Sequence, residues 1–122
     1  MPFERCNAFL MPTGGNGNHL FIICTNMCEN NKFVIANVTT WTGEHCDPTV
    51  QFHAGDHPFI DRHCFVLYSQ SLVERRMTIS AGVDQGRFIA REDMAQAKVD
   101  EIERGLLTSR FTPRKVKNYI SA

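Results

Sequence analysis

"KFVIANVTTW", residues 32–41, reads as a β-strand. Phe33, Ile35 and Asn37 alternate against Val34, Ala36 and Val38, the period of two that a pleated strand imposes. Its β-branched residues favour a sheet over a helix. Just before it, "HLFIICT" (19–25) is a continuous apolar run, the pattern of a strand covered on both faces. "NMCENN" between them is a polar turn. Downstream, "TGEHCDP" turns, and "TVQFHA" (49–54) alternates with Val50 and Phe52 on one side. "GDHP" turns again, with Pro58 holding His57 extended. "HCFVLYS" (63–69) predicts another strand, and "RMTISAG" (76–82) and "GRFIA" (86–90) predict two shorter ones. Short strands at this spacing point to a small, partly open barrel.

Residues 91–120 change character. Glu92 and Asp93 suit the positive end of a helix, and Ala95, Val99, Ile102 and Leu106 mark one buried face. Gly105 suits a C-terminal cap. A second helix starts at "TPRKVKNYI", with Thr112 as N-cap and Pro113 at its first position. Val116, Tyr119 and Ile120 form a narrow apolar stripe. Arg114, Lys115 and Lys117 lie off it and, with Arg110, make the one dense basic cluster, either a solvated face or a phosphate contact. The order predicts an α+β chain of one domain over 1–122, with a barrel at 13–90 and C-terminal helices at 91–120.

Thirteen basic and thirteen acidic residues cancel, so no global field draws the chain to nucleic acid or membrane. Any such contact must be local. No apolar run approaches the roughly 20 residues that span a bilayer. The start, "MPFERCNAFLMP", lacks the apolar core of a signal peptide. Five irregularly spaced cysteines then point to reduced thiols and a cytoplasmic protein. "TGGNGN" (13–18) is a loop without the Lys-Ser/Thr ending or the following helix of a phosphate-cradling motif.

Residues 43–68 hold four of the five histidines. Cys46, His53, His57, His63 and Cys64 are zinc-ligand types, but their spacing matches no zinc motif, and His63 and Cys64 point to opposite faces of a strand. A small metal-binding protein is therefore the third reading, and no metal or cofactor is expected. Acid–base chemistry fits better. His57 and His63 are candidate catalytic groups, since cleavage through a ribose 2′-hydroxyl needs a base, an acid and a cation for the phosphorane. Arg62 is that cation. Asp56 either orients the His57 ring or bonds the backbone of its own turn. Cys64 beside His63 reads as core rather than as a nucleophile. Thr39 and Thr40 end a strand where hydroxyls reach a ligand, and Trp41 offers a ring for a base or a plug for the core.

The order of a glycine loop, "HLFIICT", "NKFVIANVTTW", "AGDHPFI", "CFVLY" and a last helix resembles the PemK/MazF-like toxins of bacterial toxin–antitoxin modules. The resemblance is to a branch with a "GDHPFI" signature and covers roughly residues 13–107. It implies an SH3-like β-barrel with a C-terminal helix, often a homodimer. It further implies endoribonuclease action on single-stranded RNA without metal, and a cognate antitoxin whose C-terminal segment blocks the groove. The family's hydroxyl-bearing strand end matches Thr39 and Thr40. The family arginine after the glycine loop is replaced in the region of Asn18 and His19. Leu67 and Ser69 stand where some members carry a catalytic Arg and Asp. The resulting expectation is a toxin-like endoribonuclease with His57, Thr40 and His63 catalytic, and His19, Arg62, Thr39 and Trp41 binding RNA. The alternative is a barrel that binds an antitoxin peptide or nucleic acid without cutting.

Overall fold

The computed structural model describes residues 3–13 and 17–121. Along the chain come β1 (Ala8–Pro12), β2 (Asn18–Ile23), β3 (Lys32–Thr40), β4 (Gln51–Phe52) and β5 (Cys64–Val66). A 3-10 turn (Tyr68–Gln70) leads to β6 (Leu72–Arg75), α1 (Arg76–Asp84), β7 (Ile89–Arg91), α2 (Gln96–Thr108) and α3 (Arg114–Ser121). The strands form one antiparallel sheet in the order β4-β5-β3-β2-β1-β7. Among the described residues β4 and β7 end the sheet without pairing to each other, so the sheet is not closed. The fold class is α+β.

β3 organises the sheet. One edge pairs with β2, Leu20 opposite Val38 and Ile23 opposite Ile35. The other edge pairs with β6 along Lys32–Ile35 and with β5 along Val38–Thr40. β5 and β6 thus share one edge, interrupted by the 3-10 turn. That turn drives Tyr68 into the core, where it is fully buried and its hydroxyl donates to the Ile102 carbonyl at 2.8 Å.

The alternation at 33–38 has a physical destination on each face. Leu20, Ile22, Val34, Ala36 and Val38 pack with Val99, Ile102 and Leu106 of α2 and Val116 of α3. Phe9, Phe21, Ile23, Phe33 and Ile35 pack with Phe3 and with Ile79 of α1. Each of these valine, leucine, isoleucine and phenylalanine side chains contributes roughly 1.5–3 kcal/mol by leaving water. Burial on both faces explains why 20–25 carries no polar residue before Thr25.

Four sequence expectations are corrected. "RMTISAG" is not a strand but most of α1. Ile79 and, one turn on, Val83 meet the phenylalanine-rich face. Gly82 lets the Phe88 ring approach so closely that an added Cβ would lie 2.1 Å from it. Second, α2 starts at Gln96, not at Glu92. Residues 92–95 are a lead-in fixed to the segment just before β1: Asn7 donates to Asp93 at 2.9 Å and Met94 N–H to the Cys6 carbonyl at 3.0 Å. Third, Gly105 is no cap. It lies inside α2 against Tyr68, whose hydroxyl would be 2.0 Å from an added Cβ. Fourth, the buried hydroxyl of Thr112 has no partner among the described residues, and Pro113, one residue before α3, supplies the carbonyl that accepts from Val116 and Lys117. The strands β1 and β6 went unforeseen.

Candidate functional site

At the end of the sheet where β2 begins and β3 stops, a cleft of about 380 Å³ opens. Asn18 and His19 enter it from β2, Val38, Thr39 and Thr40 from β3, and Phe59–Arg62 and Cys64 from the loop before β5 and from β5 itself. Val38, Ile60 and Cys64 are buried, while Asn18, Thr40 and Arg62 are exposed. Apolar groups therefore underlie a polar mouth. His19, Thr39, Thr40 and Arg62, remote in sequence, share this cleft. His57, His63 and Trp41 do not line it.

The loop that makes one wall is held from beneath. His57 is 2% exposed. Its Nδ1 accepts the Phe59 N–H at 3.0 Å, and its Nε2 donates to the Glu92 carbonyl at 2.6 Å. Both ring nitrogens are thus spent on backbone, and the ring ties the loop to the lead-in of α2. The sequence expected a catalytic acid or base at this position; the structure places the ring beneath the loop, outside the cleft lining. Asp56 takes the second of its two expected roles, accepting the His53 N–H at 2.7 Å. It also pairs with Lys98 of α2 at 3.2 Å. These contacts, the backbone bond first, hold its carboxyl below the usual range. Gly55, at φ +94°, supplies the left-handed turn that closes the loop. "GDHPFI" is a latch that presents Phe59, Ile60, Asp61 and Arg62 to the cleft.

His63 goes elsewhere. The β3–β5 register, carried one pair beyond Thr40 and Cys64, sets Trp41 opposite His63, and the Trp41 N–H donates to the His63 carbonyl at 3.0 Å. The His63 ring stacks on Trp41 (centroids 4.8 Å, planes 16° apart) and on His53 (4.6 Å, 18°). Gln51 holds its Nε2 at 2.8 Å. Thr39, Thr40 and Cys64 line the cleft, whereas Trp41 and His63 stack on each other outside it.

Within the cleft, His19 is the one imidazole. Its Nδ1 hydrogen-bonds the Thr13 hydroxyl, and among the described residues Nε2 has no partner. The Arg62 guanidinium donates to the neighbouring Asp61 at 3.0 Å, with both side chains mostly exposed. An exposed pair of this kind is weak and readily exchanged for a phosphate. A second cation, unforeseen from sequence, stands over the wall: the Arg91 guanidinium lies 5.2 Å from the centre of the Phe59 ring. Burial pushes the Cys64 thiol up to about 11, so it stays protonated and serves as floor rather than nucleophile. Among the described residues no three of His, Cys, Asp and Glu converge as a metal site. Nor is any helix among them long and apolar enough to cross a membrane. Residues 14–16 of "TGGNGN", and with them the phosphate-cradle reading, lie outside the described residues.

Asn18, Phe59 and Arg91 were missed from sequence. The first two sit beside residues singled out; Arg91, paired with Glu92 at 2.9 Å and lying over Phe59, is not itself a lining residue and comes near through β7, whose pairing no local signal announced.

Fold and cleft together define a mixed α+β domain with a polar, cation-bearing cleft at one end of its sheet. The chain matches no protein-family model and no curated protein.

Proposed function

We propose that the chain is a toxin-like endoribonuclease whose cleft takes the backbone of single-stranded RNA. The observation that carries this reading is the gathering of His19, Thr39, Thr40 and Arg62 around one cleft. A phosphodiester needs charge-assisted donors for its oxygens, which Arg62 and the two hydroxyls supply. Cleavage through the 2′-hydroxyl needs a proton carrier that works near neutrality. His19 takes that role, replacing His57 and His63. The cation and hydroxyls then stabilise the charge that builds on the phosphorus oxygens.

The resemblance to PemK/MazF-like toxins supports the same reading, since its hydroxyl-bearing strand end corresponds to Thr39 and Thr40. The SH3-like barrel belongs to this reading too, supported by the way β3 passes from β6 to β5 along one edge. So do a cytoplasmic setting, a homodimer, and a cognate antitoxin whose segment occupies the cleft in place of RNA. All five cysteines are free thiols, in keeping with that setting.

A second reading, RNA or peptide binding without cutting, is favoured by one observation: a single imidazole reaches the cleft. Incubating the purified protein with single-stranded RNA, with and without chelator, separates the two. Cleavage in chelator supports the endoribonuclease. Binding without cleavage supports the second reading, and neither binding nor cleavage overturns both.

A further inference from the structure

Thr40 and Trp41 are consecutive, yet they line two different clefts. Thr40 lines the one already described. Trp41 lines a second, of about 730 Å³, on the other side of the β3 end. Its rim carries Phe111, Arg110, His45 and the side chains of Thr49 and Thr108.

We propose that this second cleft is a nucleotide subsite, holding the base of an adjoining nucleotide against Trp41 and its phosphate near Arg110. The proposal rests on the RNA reading above and extends it across the end of β3. Three observations carry it. First, the indole is held before any ligand arrives. One face is stacked on His63, itself stacked on His53, and Phe65 meets the indole edge-on at 5.7 Å. A fixed ring that still borders a cleft loses little freedom when a base stacks on it. Second, Phe111 across the cleft is 45% exposed, a large apolar ring left in water beside a polar site. Third, Arg110 lies over that ring, its guanidinium carbon 4.9 Å from the centroid. Among the described residues it makes no salt bridge. Asp47, which also lines the cleft and whose charge Arg110 favours from a distance, has its carboxylate held by the Ser109 hydroxyl at 2.6 Å and by Thr49. A planar cation on an aromatic ring, with no acid bound to it, is suited to a phosphate or to a base face.

An RNA strand laid over the β3 end would then meet Arg62, Thr40 and His19 on one side and Trp41, Phe111 and Arg110 on the other. The base stacks, and the phosphates meet cations. Stacking of this kind tolerates any base.

Trp41 is the chain's one tryptophan, so its emission reads the subsite directly. The test titrates the protein with a short, fluorescein-labelled single-stranded RNA, following label anisotropy and tryptophan emission together. The expected result is quenching with the same midpoint as the anisotropy rise. Phe111→Ala and Arg110→Ala should each weaken binding about tenfold, with the thermal midpoint unmoved. RNA that binds by anisotropy, while tryptophan emission stays constant and both variants keep wild-type affinity, overturns the subsite and leaves the first cleft standing. No anisotropy change at all overturns the RNA reading and the subsite with it. Quenching by a poly-glutamate peptide but not by RNA likewise overturns the subsite.

Discussion

His57 and His19 are two histidines in two opposite situations. His57 is 2% exposed, with both ring nitrogens bonded to backbone. His19 is half-buried at a strand start, lines the cleft, and has one nitrogen bonded. The first holds a wall in place, and the second borders the space the wall encloses. The difference teaches that a striking local motif marks where the chain is constrained, which need not be where its chemistry happens.

The comparison is broken most severely at His19. His19→Ala should lower RNA cleavage by roughly 10²–10⁴-fold, the worth of a positioned proton carrier, with the thermal midpoint unchanged. Single-turnover cleavage of a labelled RNA checks this. His57→Ala should do the reverse. It leaves the Phe59 N–H and the Glu92 carbonyl without their partner, at a cost of about 2–3 kcal/mol in unfolding free energy, readable by urea titration. His57→Gln sharpens the point. An amide can donate to the one group and accept from the other, so it should recover part of the stability and the activity with it. A catalytic imidazole would recover nothing.

Arg62→Ala comes next, with RNA affinity down about tenfold and stability within about 0.5 kcal/mol of the parent. Anisotropy at two salt concentrations checks it, since losing a phosphate contact also flattens the salt dependence. The smallest effect is expected at Asp56. Its carboxyl sits below the ordinary range because it accepts the His53 N–H and pairs with Lys98. A depressed carboxyl contributes stability above its unfolded pKa, near 3.9, and loses it as pH falls through the lower folded value. Urea midpoints should therefore drop below about pH 4, and Asp56→Asn should flatten that drop.

Much of the sheet is visible in the sequence because burial on two faces leaves a period-two record, as Phe33 to Val38 show. What escaped depends on distant partners. Thr78 and Ile79 look like strand residues, yet α1 forms because Ile79 meets the phenylalanine face and Gly82 admits Phe88. Gly105 resembles a helix end, but it is the point where α2 makes room for Tyr68. The strand-end hydroxyls, His19 and Arg62 were legible as polar groups next to turns. The state of His57 was not, because its bonding partner is the Glu92 carbonyl, 35 residues away. The Trp41–His63–His53 column needed the register of three strands, and no local pattern encodes that register.

The most direct test is cleavage of single-stranded RNA in chelator by the parent, His19→Ala and His57→Gln proteins, each shown folded by its thermal midpoint. The account predicts cleavage by the parent, none above background by His19→Ala, and measurable cleavage by His57→Gln. Parent-level cleavage by His19→Ala, together with none by a folded His57→Gln, would contradict it.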